Sequence, residues 1–453
     1  MRSTSAMISS PTPPNQAHTG CASLDVLASA KPAPLHHFRL DNGLSVYLHE
    51  NHSAPLAAVQ LWYHIGASHE PPGHSNLSHL LEHLVFQGSS KLPAGQYSRL
   101  IAGLGGVANA TTHDDATSFE MILPASRLPV ALELMADAMK NATLDPAAFE
   151  QEVKAVADER RFRVDNSPIQ LAFEQHRMLA HGDNAYAMPS FGYSIDLEEM
   201  SLASVRTWYQ TWYQPNNATL VVAGAVDPKV LRHQVETYFA ALPPAPLDAK
   251  PAPRHRGVLA ERSQTLVQPT LVDGLFMSFN VPSQATAPSQ ETVLALRLLC
   301  QVLGTGYSAR LYSQLVRDKR LLKYAQLSYD HHVRGDTLMT LSSATVPDRA
   351  TAQQAATEVW QLIDTLRTAA LPETELEGAK LRLLAKQFYE RDDLAHQATL
   401  IGHAAAAGLD PALHDEAPRI IRDLTSATLQ RVASEYLRRE RLTTTYLQHG
   451  VPA

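Results

Sequence analysis

Two histidines and a glutamate stand close together in the segment HSNLSHLLEHLVFQG, residues 74–88: His79, Glu82 and His83. On a helix, residues four apart lie one turn apart on the same face, so His79 and His83 can offer imidazole nitrogens to one Zn²⁺ at about 2.0–2.1 Å. Glu82 projects beside them and can take a proton from a zinc-bound water without being a ligand. Catalytic zinc usually has three protein ligands and one open position, so a further ligand has to come from elsewhere. The candidate is Glu159, in the run LDPAAFEQEVKAVADERRF. An acidic group on the partly apolar face of a helix is costly unless something neutralises it, and a zinc ion would do so. The plain alternatives are a solvated, histidine-bearing helix face or a buried pair of structural histidines. A motif opposite an apolar stripe, with a matching carboxylate helix downstream, favours the metal.

The elements that must hold these groups are readable around them. Leu77, Leu80, Leu81, Leu84 and Val85 recur with helical spacing and form a core-facing stripe, with His79, Glu82, His83 and Phe86 along a second one. Ser75 is the expected N-cap and Gly88 the expected C′ residue. Asp145 and Pro146 are start signals for the second helix, on which Glu152, Ala155, Val156 and Glu159 share a face. Upstream, Asn42-Gly43 joins two strand-like runs as a hairpin turn. Strand runs alternate with long helical ones, which indicates an α+β or α/β domain. Five prolines within residues 241–257 then preclude regular helix or central strand, so this stretch reads as a linker between halves of similar size. The halves echo each other at an offset of roughly 220 residues: 135–161 resembles 362–388, and 212–226 more weakly resembles 435–449. Two copies of one α/β fold are expected.

Composition narrows the field. The chain has 453 residues, with 38 Lys+Arg against 45 Asp+Glu, a net charge of −7 that offers no basic stripe for nucleic acid. Its two cysteines, Cys21 and Cys300, are far apart, so neither a disulfide framework nor a thiolate zinc knuckle is expected. Cys21 follows no apolar run, which argues against a lipid anchor. No stretch approaches the roughly 18 apolar residues of a membrane span, and the N-terminus lacks the apolar region of a secretory signal. The cytoplasm is the expected location, with the periplasm open if a signal preceded this numbering.

At the HxxEH motif the chain resembles the M16 zinc metallopeptidases, the family of pitrilysin, insulinase and the mitochondrial processing peptidases, in a short two-domain bacterial form. H-x-x-E-H, inverted from the usual zincin order, is that family's signature. The resemblance implies a third ligand about 75 residues after the motif, and 75 residues separate His83 from Glu159. It makes Glu152 an acidic support for the site and gives Trp62, Gly66, Glu70 and Gly73 counterparts before the motif. It also makes residues 105–124 the edge strand along which an extended peptide binds, with Asn109 and Ala110 as substrate contacts. In the second half, GTGYSARLYSQLVRDKRLLKYAQLSY places Arg317 and Tyr324 at an arginine–tyrosine pair. In family members this pair reaches the zinc site and holds substrate or the developing oxyanion. The glycine-bearing GTGYSAR lacks GK[ST] and is no phosphate loop.

The implied fold is two homologous α/β domains of the LuxS/MPP-like type, half of a clam-shell chamber. The expected divisions are a flexible arm at 1–34, a zinc-bearing domain at 35–242, a linker at 243–262 and a zinc-free domain at 263–453. In the second half, Leu298, Gln301 and Val302 stand where the motif residues stand in the first, and Lys386 stands for Glu159. The implied activity is a metalloendopeptidase with one Zn²⁺ per chain, Glu82 as general base, and peptides or unstructured segments as substrates. Partners would be a second copy, or a related M16 subunit in a heterodimer. The rival is a non-catalytic structural or partner subunit, against which the intact His79, Glu82, His83 and Glu159 argue. A metal-storage or sensing module would leave Glu82 without a task, and no Ser/His/Asp or Cys/His triad is evident.

Overall fold

Asn42 and Gly43 turn β1 (Leu35–Arg39) back onto β2 (Ser45–Glu50), with Gly43 at φ +91° and packed so closely on Asn216 that a side chain would collide. The computed structural model describes residues 20–248, 251–254 and 259–450. With β3 (Leu56–Tyr63), β4 (Val107–Thr112), β5 (Thr117–Pro124) and β6 (Ala218–Gly224), this hairpin forms a six-stranded sheet in the order β1-β2-β6-β3-β5-β4. The second half contributes β7 (Arg262–Gln268), β8 (Gly274–Val281), β9 (Leu322–Tyr329), β10 (Thr337–Thr345) and β11 (Leu442–His449), ordered β7-β11-β8-β10-β9.

The two sheets repeat one plan. In the first, β2 and β6 are parallel and the neighbours β6–β3, β3–β5 and β5–β4 are antiparallel; β7–β11, β11–β8, β8–β10 and β10–β9 follow the same sequence of senses. The duplication expected from the sequence is therefore present, with β1 as an extra strand on the first copy. Both copies end on an edge strand, β4 and β9.

The central strands β3, β6 and β8 are buried on both faces, and the second face is covered by the other half. Val59, Leu61 and Tyr63 of β3 point into the core of the first half, while Ala58 and Trp62 point the other way, onto Leu394, Ala398 and Ile401 of the helix Leu394–Ala406. Gly402 of that helix lies so close to the Trp62 indole that any side chain there would overlap it. Reciprocally, the helix Pro168–His181 packs Ala172 and Phe173 on Phe276 and Leu447. From its middle, the His176 ring bonds Thr445 Oγ1 at 2.8 Å and Ser278 Oγ at 2.7 Å. Strand alternation explains why β3 and β6 read as continuous apolar runs. Cutting the chain at the proline-rich segment gives two sequence halves, yet neither sheet is covered without the other half.

The expected arm at 1–34 needs correction over its described part. The helix Gly20–Ala28 buries Leu24 in the second core, against the helices Glu373–Tyr389 and Leu413–Asp423, and Arg391 donates to the carbonyl of Ala30. Residues 1–19 and the Cys21 side chain lie outside the described residues, as do 249–250 and 255–258 of the linker. No described helix is long and apolar enough to cross a membrane.

Candidate metal centre

The motif helix, Leu77–Val85, buries Leu77, Leu80, Leu81, Leu84 and Val85 in the first core. Each such side chain contributes up to about 1.5–3 kcal/mol, so the opposite face is held on a rigid base. Its N-terminus departs from expectation. Asn76, at φ +77°, is the capping residue, and its side chain makes no capping bond. Glu70 does that work from outside the helix, accepting from the Asn76 amide at 2.9 Å and the Ser78 amide at 2.6 Å. Burial pushes Glu70 up to about pKa 7, against the pull of those amides. Ser75 instead donates to Asp196 at 2.6 Å. At the other end, Gly88 falls one residue beyond the expected C′ position, since Phe86 is the C-cap.

His79 and His83 stand edge to face, ring centroids 4.9 Å apart. The second helix, Pro146–Arg160, starts as expected, with Asp145 accepting from the amides of Ala147 and Ala148. It brings Glu159 Oε2 to 3.5 Å from His79 Nε2 and 3.7 Å from His83 Nε2. One donor atom from each of the three residues lies within 4.8 Å of the others, the single such group of metal-ligating side chains among the described residues. A tetrahedral ion with bonds near 2.05 Å sets its ligand atoms about 3.3 Å apart, so two imidazoles and one carboxylate at these separations suit zinc with little movement.

The surrounding groups fix which atoms face the centre. Glu152 Oε2 lies 2.9 Å from His83 Nδ1 and Glu152 Oε1 accepts from Gln87 Nε2 at 2.7 Å, which leaves His83 Nε2 free to ligate. Burial alone would lower the His83 pKa, but the bond to Glu152 and the charges of Glu82, Glu152 and Glu159 raise it. Arg163 Nε donates to Glu159 Oε1 at 2.7 Å and leaves Oε2 for the histidines. The hydrogen bond to His79 is the main reason Glu159 falls to about pKa 2. Just past Glu159 the helix widens into a π-type turn, Arg161–Asp165, a distortion often found at functional sites. Phe191 packs its ring at 5.4 Å edge-on to His79.

Glu82 sits beside the three donors without joining them. Its Oε2 accepts from Thr112 Oγ1 at 2.6 Å, tying it to the last residue of edge strand β4. Burial raises its pKa, while Thr112 and the two histidines hold it down, the profile of a carboxylate suited to proton transfer. Asn109 and Ala110 lie on the same strand, Asn109 exposed and Ala110 packed on the core, and among the described residues β4 pairs only with β5.

Arg317 and Tyr324 are not brought to this centre. Arg317 is exposed on the wide helical turn Leu311–Asp318 and paired with Asp318 at 2.8 Å; Tyr324 is 40 % exposed on edge strand β9. Among the described residues, neither bonds to His79, Glu82, His83 or Glu159. Among the described residues the second half holds no counterpart of the centre, since Leu298, Gln301 and Val302 are buried there. Sequence reasoning missed Thr112, Gln87, Arg163 and Phe191. Arg163, four residues after Glu159, and Thr112, in phase with Ala110 on a strand, carried readable signals; Phe191 carried none.

Comparison with known proteins matches each half of the chain to a family model. Residues 45–190 match the family described as Insulinase (Peptidase family M16), and residues 199–383 match the Peptidase M16 inactive domain. The zinc protease PqqE of Helicobacter pylori is 27% identical over 418 residues, spanning 90% of this chain and 91% of the relative. The mitochondrial-processing peptidase subunit beta of Blastocladiella emersonii is 28% identical over 205 residues, 45% of this chain and 44% of that one. The crystal structure of a protease from Helicobacter pylori superposes with a TM-score of 0.87 at 26% identity, covering 92% of this chain and 100% of that one.

Proposed function

The chain belongs to peptidase family M16, the insulinase family, and resembles its zinc proteases; from that premise we propose that it is a zinc-dependent endopeptidase cleaving peptides or unstructured segments. The observation that carries this reading is the convergence of His79 Nε2, His83 Nε2 and Glu159 Oε2, with the non-ligating Glu82 carboxylate beside them. His79, His83 and Glu159 would hold one zinc ion per chain. Bound there, zinc supplies Lewis acidity toward the scissile carbonyl and the attacking water.

This chain's residues do the rest. Glu82 takes the proton of the attacking water on the oxygen that Thr112 leaves free, then returns it to the leaving amine nitrogen. Glu152 holds His83 in the tautomer that presents Nε2, and Arg163 holds Glu159 so that one oxygen faces both rings. Edge strand β4 offers its unpaired backbone to an extended substrate, with Asn109 and Ala110 along it, so a segment must be unfolded to bind. Arg317 and Tyr324 would take part only after a movement of the second half or with a partner chain in place. We accordingly assign the working enzyme to a pair, this chain with a second copy or with a related M16 subunit, closing a chamber around the site.

Treatment of the purified chain with a chelator should abolish cleavage of a quenched fluorogenic peptide, and added Zn²⁺ should restore it. Glu82→Gln should keep the metal and lose turnover; a fully active Glu82→Gln variant overturns the assignment. Size-exclusion chromatography with activity read across the fractions shows whether the pair is needed.

A further inference from the structure

Edge strand β4 ends at Thr112, whose hydroxyl holds Glu82, and runs directly into a tight turn in which the His113 amide donates to the Ala116 carbonyl at 2.8 Å. That turn is packed on the segment leading into the motif helix. The amides of Ala67 and Ser68 donate to the carbonyls of His113 and Asp114, at 3.0 and 2.7 Å. A Cβ at Gly66 would lie 2.2 Å from the His113 carbonyl oxygen, so the approach requires glycine. Just beyond, Glu70 accepts from the Asn76 and Ser78 amides at the start of the motif helix. Both ends of the Thr112–Glu82 bond are thus referred to this one turn, Thr112 along the chain and Glu82 through the leading segment and its helix.

Asp115, in the turn, is buried, with 6 % of its surface exposed. Its Oδ1 accepts from Ser68 Oγ at 2.8 Å and from Arg334 Nε at 3.1 Å; its Oδ2 accepts from the Arg334 amide at 2.8 Å and from the Tyr186 hydroxyl. Arg334 belongs to the second half, in the loop between β9 and β10, and the next amide, of Gly335, donates to the Tyr186 oxygen at 2.9 Å. One carboxylate therefore joins the leading segment, the loop that follows the helix Pro168–His181, and the second half. Beside it, Asp114 pairs with Arg177 at 3.1 Å, and Arg177 donates to Ser190 Oγ, next to the Phe191 that packs on His79. A carboxylate this far from water is stable only while charge and hydrogen bonds meet it, so the turn has little freedom to shift while Arg334 is in place.

We propose that Asp115 is a positioning residue for peptide hydrolysis: gripped by Arg334 of the second half, it fixes the turn that sets Thr112 against Glu82. The inference rests on the peptidase reading above. It gives the zinc-free half a part in the reaction through Arg334, while Arg317 and Tyr324 stand away from the centre. An ion pair that served only to join the halves could lie anywhere on their interface. This one ends on the turn between the substrate-binding edge strand and the segment that carries the motif helix.

The test is a double-mutant cycle between Asp115→Asn and Thr112→Val, read as kcat and KM of the full zinc-loaded chain on a quenched peptide. Asp115→Asn should lower kcat about ten- to hundredfold, the loss of one charge-assisted hydrogen bond, with zinc content and KM little changed. In the Thr112→Val background the same substitution should cost less than about threefold, since the bond it aligns is already gone. Ser278→Ala removes the His176 bond, a contact between the halves that does not touch the turn, and should leave kcat unchanged. Should Asp115→Asn fail to fold, Arg334→Gln takes its place in the cycle, and Arg334→Lys should recover part of the loss. Losses that simply add, a change confined to KM, or an equal loss in Ser278→Ala would overturn the proposal and leave the peptidase reading intact. A zinc-loaded chain that cleaves no peptide would overturn both.

Discussion

Glu152 Oε2 lies 2.9 Å from His83 Nδ1, on the side of the ring away from the Nε2 atom that faces Glu159. The bond has two opposed effects. It fixes the tautomer and orientation in which Nε2 can ligate, and it stabilises the protonated imidazole that cannot.

Glu152→Ala should therefore weaken zinc binding at neutral pH by about 10–100-fold, the usual range for loss of such a partner. At the same time the midpoint of zinc uptake with pH should move downward, because the His83 pKa loses the contact that raises it. Competition with a zinc-indicator chelator between pH 5.5 and 8 checks both. A variant with weaker binding but an unshifted midpoint would assign Glu152 a packing role alone.

Thr112 is the corresponding support for Glu82. Thr112→Val removes the hydroxyl that donates to Oε2 at 2.6 Å while keeping its volume. Glu82 is raised by burial and lowered by this bond, so the variant's carboxyl should rise further. The acid limb of kcat/KM should move to higher pH, with zinc content unchanged. A pH–rate profile of both proteins, read in parallel with metal analysis, decides.

The contrast between these supports and the ligands shows what a sequence can carry. His79, Glu82 and His83 were legible because four-residue spacing on a helix is a local fact, and the Leu77–Leu84 stripe fixed which face they occupy. Glu159 was legible as an acidic group on a helix face and through its family spacing. The exchange of the helices Pro168–His181 and Leu394–Ala406 was not legible, because an amphipathic pattern says that a face is buried and not which sheet buries it. Glu70 illustrates the same limit: its distance from the motif was visible, its capping of the Asn76 and Ser78 amides was not. Ser75, the local candidate for that cap, is drawn instead to Asp196, 121 residues away.

Acid should loosen the fold in the range where free histidines titrate. Buried His113 and His176 are lowered to about 3, and His403 and His414 to about 4, each chiefly by desolvation. A lowered histidine contributes stability that is present above the unfolded value near 6.5 and lost as pH falls toward the folded one. Glu70, raised to about 7, runs the other way between 7 and 4.5. His64 is likewise lowered to about 4, and burial lowers His331 and His332 as well, so the buried histidines outnumber Glu70 and stability should fall as the pH drops from 6.5 toward 5.5. Urea melts at pH 7.5, 6.5 and 5.5 should show a steep fall in the midpoint; a flat profile would mean that these rings take up protons without unfolding.

The reciprocal helix exchange makes Gly402 a test of how the halves are joined. A Cβ at that position would sit 2.1 Å from Trp62 Nε1 and 2.2 Å from the ring carbon beside it, and the indole is fully buried and tied to Gln60 at 2.9 Å. Gln60 in turn donates to Thr399 and Ala395 of the same helix, so the indole cannot retreat without breaking bonds to the element pressing on it. Gly402→Ala should then cost about 3 kcal/mol, the upper part of the usual range for overpacking, although alanine is the better helix former. The same substitution at Gly408, where a Cβ meets nothing within 4 Å but φ is +74°, carries only backbone strain of about 1 kcal/mol. Chemical denaturation of both variants separates the two causes. If Gly402→Ala proves no worse than Gly408→Ala, the Leu394–Ala406 helix is not clamped on the first sheet, and the two halves can move apart without losing that contact.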